Sequence, residues 1–191
     1  MSGRRKPSPG QVRIIGGNLR NSRLLVPELP GLRPTPARVR ETVFNWLAPV
    51  IAGARCLDLC AGTGALGIEA YSRGASSVQF VERDAQAAQA LRANLARLRL
   101  DTTMVAAADA AEFLRGAGQP CDVVFLDPPF ALELWASLTQ QLEAGGWLAA
   151  QALIYVESPR AGVAELPPNW SVHREGRAGE VRFALYRRSL P

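Results

Sequence analysis

Asp58-Leu59-Cys60-Ala61-Gly62-Thr63-Gly64-Ala65-Leu66-Gly67 joins a short apolar run, Cys56–Cys60, to a stretch with helical spacing, Ala65–Ser72. Gly62, Gly64 and Gly67 match the pattern GxGxxG, in which glycine lets the backbone take positive φ and approach a ligand closely. Such a turn belongs at the first strand-to-helix junction of a sheet that binds ligand at the carboxyl ends of its strands. The rest of the chain repeats the alternation. Val78–Glu82, Thr103–Ala106, Val123–Asp127 and Leu153–Glu157 are candidate strands of a buried parallel sheet, separated by candidate helices Ala85–Leu98, Ala110–Leu114 and Leu132–Leu142. Right-handed βαβ repetition then predicts an α/β, doubly wound sheet with helices on both faces. Two last strands, Trp170–Glu175 and Val181–Arg188, are joined only by Gly176-Arg177-Ala178-Gly179 and should pair antiparallel.

Ahead of the glycine turn, Val12–Gly16 and Arg23–Val26 flank Gly17-Asn18 and are expected to form a β-hairpin with a basic face. Four prolines between Pro27 and Pro36 mark a connector. Thr35 reads as the N-cap of a helix with Pro36 at its first position. Val39, Val43, Trp46, Leu47 and Val50 would form its apolar stripe. The expected division is a basic N-terminal arm and hairpin over residues 1–34 and a main domain over 35–191.

Charge follows the same division. The 191-residue chain carries a formal +5, yet residues 1–40 hold nine basic groups against one acid, Glu28. The remaining thirteen basic and sixteen acidic residues leave the rest at −3. A positive excess confined to one end suits a polyanion such as nucleic acid, with Arg13, Arg20, Arg23 and Arg38 as candidate contacts.

Several classes are disfavoured. No apolar run reaches the roughly 18 residues of a membrane span, and Met1–Gly10 lacks the apolar core of a secretory signal. Cys56, Cys60 and Cys121 form no CxxC pair and read as reduced, buried residues of a cytoplasmic protein. His173 is the single histidine and reads as a surface residue, so no catalytic metal is expected. Trp135, Trp147 and Trp170 read as core or interface fillers.

Glu82 lies twenty residues after Gly62, at the end of the next strand, where a carboxylate can accept both ribose hydroxyls of an adenosine. Any dinucleotide site shares these features. Asp58 separates the possibilities, because a carboxylate at this strand tip would repel a pyrophosphate but attract the sulfonium and ammonium groups of S-adenosylmethionine. Asp109 is then placed to accept from the adenine amino group, and it is equally suited to capping the helix Ala110–Leu114.

Asp127-Pro128-Pro129-Phe130 follows the fourth strand and should face the same crevice. An exocyclic amino group on guanine or adenine is a poor nucleophile, because its lone pair is delocalised into the ring. A carboxylate accepting its N–H, with a fixed backbone carbonyl, can draw the nitrogen toward a pyramidal, reactive geometry. The Pro-Pro pair fixes φ and can aim the Pro128 carbonyl. Phe130 offers a stacking surface for a base taken out of its helix.

These residues resemble the class I methyltransferases, and specifically the bacterial small-subunit ribosomal RNA guanine-N2 methyltransferase family called RsmD. The likeness runs through Arg13-Ile14-Ile15-Gly16-Gly17, the segment Arg33–Leu47, the DLCAGTGALGIEA and FLDPPF runs, Tyr155-Val156-Glu157-Ser158 and Gly179-Glu180-Val181-Arg182-Phe183. Ala37 departs from the polar residue that members often carry. The resemblance implies a seven-stranded sheet of order 3-2-1-4-5-7-6 with strand 7 antiparallel. It implies S-adenosylmethionine as cofactor, S-adenosylhomocysteine as product, no metal, and 16S ribosomal RNA of the small subunit as substrate of a monomeric enzyme. It makes Asp127, Pro128, Pro129 and Phe130 catalytic. Asp58, Gly62, Thr63, Gly64, Glu82, Arg83, Asp109 and Ala110 would contact the cofactor, and Thr35 and Arg38 would lie near the site. Adenine-N6 and protein glutamine methylation use the same chemistry and stay open on the residues alone. A nicotinamide oxidoreductase would leave Asp127–Phe130 and the basic end without a task, and a noncatalytic RNA-binding module would leave the cofactor motifs without one.

Overall fold

A computed structural model describes residues 10–100, 104–161 and 165–189. Arg4, Arg5 and Lys6 of the basic arm, and Thr103 at the expected start of the third strand, lie outside the described residues. The elements in chain order are β1 (Gly10–Arg13), β2 (Arg23–Val26), α1 (Ala37–Leu47), β3 (Arg55–Asp58), α2 (Ala65–Ser72), β4 (Ser77–Glu82), α3 (Ala85–Arg97) and β5 (Met104–Ala107). They continue with α4 (Ala110–Leu114), β6 (Cys121–Leu126), a 3-10 turn (Phe130–Leu132), α5 (Trp135–Ala144), β7 (Leu148–Pro159), β8 (Trp170–Ala178) and β9 (Val181–Arg188).

Seven strands form one sheet in the order β5-β4-β3-β6-β7-β9-β8. Counted within the sheet from β3, this is 3-2-1-4-5-7-6. β9 runs antiparallel to both β7 and β8, while β3 through β7 pair in parallel. Alternation along the central strands divides the core in two. On β6 and β7, Val123, Phe125, Leu153 and Tyr155 face Val43, Phe44, Ile68 and Leu91 of α1–α3. Val124, Leu126, Ile154 and Val156 face Leu114, Trp135, Leu138 and Leu142 of α4 and α5. Strands buried on both faces read as continuous apolar runs, as these do.

The N-terminal hairpin packs on the first of these layers. Val12, Ile14, Leu24 and Val26 are buried in the same cluster as α1–α3, leaving Gln11, Arg13, Arg23 and Leu25 toward solvent. Its connection is longer than a tight turn at Gly17-Asn18: β1 ends at Arg13, and Ile14 N–H donates to the Ser22 carbonyl at 2.9 Å. The loop is held by α2. Glu69, fully buried, accepts from Ile15 N and Gly16 N at 2.8 Å each. Its remaining partners are Arg40 Nη1 at 3.4 Å and Arg73 Nε at 2.8 Å. Gly17 has φ +74°, and a Cβ there would lie 1.8 Å from the Ser72 carbonyl oxygen, so only glycine fits.

Three local expectations need correction. Thr35 does not cap α1; Pro36 holds the N-cap position with no side-chain bond, because the Thr35 hydroxyl is engaged with Glu157. Val50 is 45% exposed, since α1 ends at Leu47 and the periodic stripe stops with it. α5 begins at Trp135 rather than Leu132, because Phe130–Leu132 close a 3-10 turn that Glu133 ends at φ +47°.

Candidate active site

Four neighbouring strands, β4, β3, β6 and β7, each bring a carboxylate to their carboxyl ends: Glu82, Asp58, Asp127 and Glu157. Between the first two runs the glycine turn. Glu82 Oε2 accepts from Gly62 N at 2.7 Å and Oε1 from Asp84 N at 2.7 Å, so the side chain clamps the turn. Gly62 and Gly64 take φ +52° and +72°. A Cβ on Gly64 would sit 2.3 Å from Leu91 Cδ1, and one on Gly67 would sit 2.3 Å from the Phe80 ring. The last two glycines therefore let α2 press against α3 and β4. Thr63, between Gly62 and Gly64, is buried.

Asp58 is 3% exposed, and its Oδ2 accepts from Gly67 N at 2.9 Å. Burial pushes its carboxyl up to about 7, opposed by that backbone bond and reinforced by Glu82. Cys60, half-buried, stands among the acids: burial raises its thiol, and Asp127, Asp58, Glu82 and Asp109 raise it further. That thiol is inert at neutral pH. Cys56 and Cys121 are buried and all three cysteines are free.

Asp109 caps α4, its Oδ1 accepting from Ala111 N at 2.9 Å and Glu112 N at 3.3 Å. Ala110 is buried behind it, and Arg83 stands exposed beyond Glu82. Across the cleft, Asp127 leaves the end of β6, with Pro128 buried and Pro129 exposed. Phe130 packs at 54° against Trp135, ring centroids 5.6 Å apart. Burial first, then Glu157, then Asp58 hold the Asp127 carboxyl well above its ordinary value.

The spacing of motifs did not reveal the support behind Asp127. Tyr155 Oη donates to Glu157 Oε1 at 2.8 Å, Thr35 bonds the same carboxylate, and Trp135 Nε1 donates to the Glu157 carbonyl at 2.9 Å. A signal was available. The strand runs Cys-Leu-Asp58, Phe-Val-Glu82, Phe-Leu-Asp127 and Tyr-Val-Glu157 all end on an acid.

The candidate RNA contacts are all exposed. Arg13 and Arg23 are paired across the hairpin, Arg20 lies in its loop, and Arg38 is on the first turn of α1. Among the described residues no group of three or more His, Cys, Asp or Glu could hold a metal, and no helix is long and apolar enough to cross a membrane.

The family model described as conserved hypothetical protein 95 matches residues 12–187. The chain belongs to this family. Ribosomal RNA small subunit methyltransferase D of Escherichia coli (strain K12), 52% identical over 180 residues, covers 94% of this chain and 91% of its own. The protein of the same description from Haemophilus influenzae is 43% identical over 181 residues, 93% of this chain and 94% of its own. A solved structure from Escherichia coli, yhhF, matches with a TM-score of 0.89 at 48% identity, covering 95% of this chain and all of that one. The resemblance to RsmD thus holds, and the conserved hypothetical protein 95 chain has the class I methyltransferase, Rossmann-like fold, with the strand order that resemblance implied.

Proposed function

We propose that this protein transfers a methyl group from S-adenosylmethionine to the exocyclic N2 amino group of a guanine in 16S ribosomal RNA. The observation that carries the reading is the Asp127-Pro128-Pro129-Phe130 tetrapeptide at the tip of β6, beside the glycine turn of β3. The donor set suits that cofactor. The strand tips carry acids, which fit a cationic sulfonium and ammonium, and a pyrophosphate would be repelled by Asp58. The cofactor supplies an activated methyl group when bound.

The chain's residues supply the rest. Glu82 accepts the ribose hydroxyls with lone pairs left over from its two backbone bonds. Asp58 balances cationic charge, and Asp109, Ala110, Thr63 and Arg83 border the same cofactor. Asp127 accepts one N–H of the amino group while the Pro128 carbonyl accepts the other, which localises the nitrogen lone pair. Phe130 stacks on the flipped base. Arg13, Arg20, Arg23 and Arg38 bind phosphates and set the position of the RNA without reading its sequence.

The test is the product. The protein is incubated with unmethylated small subunits, purified ribosomal RNA and duplex DNA, and each is digested to nucleosides. N2-methylguanosine from the subunits is the expected result; N6-methyladenine, or activity confined to DNA, overturns the reading.

A further inference from the structure

Glu157 has no task in the chemistry above, yet it is a carboxylate only 6% exposed at the tip of the strand next to Asp127. β6 and β7 run parallel with Phe125 opposite Tyr155 and Leu126 opposite Val156. The next step of that register sets Asp127 opposite Glu157, and partners in register share a face of the sheet. A buried carboxylate is costly without hydrogen bonds, and here three groups from separate elements secure it. The Tyr155 hydroxyl donates at 2.8 Å, the Thr35 hydroxyl bonds the same side chain, and the Trp135 indole fixes the backbone carbonyl. Tyr155 is itself fully buried, with its ring against Phe125. Burial raises the Glu157 carboxyl above its ordinary value, and the two hydroxyl donors oppose that by favouring its ionised form, whereas the described hydrogen bonds give Asp127 no such donor.

We propose that Glu157 is a positioning residue for methyl transfer: it keeps a fixed negative charge beside Asp127 and so helps Asp127 take the proton that the substrate nitrogen gives up. The proposal rests on the amino-methyltransferase reading above. In the step concerned, the nitrogen lone pair forms the new N–C bond and the S–C pair returns to sulfur. One N–H proton passes to an Asp127 oxygen and then to solvent. The groups facing Asp127 are Asp58 and Cys60 from β3 and its turn, and Tyr155 and Glu157 from β7. Among them Glu157 outranks Asp58 in holding the Asp127 proton, after burial itself.

The experiment is a pH profile of kcat/KM on unmethylated small subunits for the full-length wild-type protein, Glu157→Gln and Glu157→Asp, with S-adenosylmethionine affinity measured alongside. Removing the charge lets Asp127 ionise more readily but makes it a weaker base. Glu157→Gln should therefore move the acidic limb down by about one pH unit, the scale of a strongly interacting pair, and lower the plateau several-fold at unchanged cofactor affinity. Glu157→Asp should keep the limb near the wild-type position. An unmoved limb in a folded, cofactor-binding Glu157→Gln protein overturns the proposal, whereas a wild type inactive on every RNA overturns the function itself. Carboxyl-carbon NMR of the wild type, with Asp127 assigned through Asp127→Asn, decides the matter without the Gln variant. Titration of Asp127 above the ordinary carboxylate range, in two linked steps with Glu157, is expected; a simple titration in the ordinary range rejects it.

Discussion

Arg13 and Arg23 stand directly opposite one another across β1 and β2, both exposed. Like charges at opposed positions cost stability, and among the described residues neither has an acidic partner. Arg23 leans on Gln11 Oε1 at 3.3 Å instead. A pair kept at a cost is suited to a polyanion. Replacing both by Gln should weaken RNA binding and lower the log–log salt slope by about 0.7–0.9 for each phosphate no longer neutralised. Filter binding over a salt series reads this directly, and an unchanged slope removes the hairpin from the RNA interface.

Glu82→Ala should loosen S-adenosylmethionine by roughly 1.5–3 kcal/mol, the worth of charge-assisted hydrogen bonds. The same truncation leaves Gly62 N and Asp84 N without their acceptor, so the turn loosens as well. Glu82→Gln keeps an acceptor oxygen and should lose less. Calorimetry distinguishes the two; equal affinity in all three proteins dismisses Glu82 as the ribose ligand.

Asp58 supplies a pH dependence. Its folded carboxyl is raised to about 7, so it binds a proton more tightly in the native state than in the unfolded chain. The stability linked to that proton is present below the ordinary carboxylate range and is lost as pH rises through about 7. A cationic ligand favours the ionised form. S-adenosylmethionine should accordingly bind with proton release near neutral pH, and more tightly as pH rises to about 7. Calorimetry in buffers of different ionisation heat measures the released proton, and Asp58→Asn should abolish it. Wild-type binding without proton release contradicts the assignment.

Asp127→Ala should leave cofactor affinity nearly intact and reduce turnover by about 10²–10⁴, the contribution of a positioned general base. Single-turnover methylation separates this from slow product release. A variant retaining near-normal turnover places the reaction elsewhere.

Glu69→Ala removes the partner of two arginines and two backbone amides. Arg40 is left as a buried charge without its counter-ion, at a cost of about 3–5 kcal/mol. Chemical denaturation measures the loss, and a change below about 1 kcal/mol would mean that the hairpin loop is held chiefly by its apolar side chains.

The parallel sheet, the glycine turn and the bounds of α2 and α4 were legible because hydrophobic period and glycine chemistry are local. The antiparallel ending was legible for the same reason, although the turn lies at Gly179-Glu180 rather than over four residues. Long-range partners were not. Thr35 has every feature of a cap, but its hydroxyl is drawn to Glu157, over a hundred residues along the chain. The apolar spacing that continues from Phe130 into α5 hides a 3-10 turn, because periodicity does not register the left-handed residue Glu133. Asp109 fulfilled its capping role, one of the two open to it.

The four donors gathered on Glu69 make the hairpin part of the same solid body as α1 and α2. The backbone that carries its arginines is thereby fixed, and on the proposed reading, in which they grip phosphates, the distance from those phosphates to the reacting nitrogen is set by the fold, like the gap of a gauge. A flexible strand must first be ordered to span that gap, at an entropic cost, whereas an RNA already folded to the right shape meets it at no such cost. On that reading, selection would be a measurement of length, made before any base edge is read.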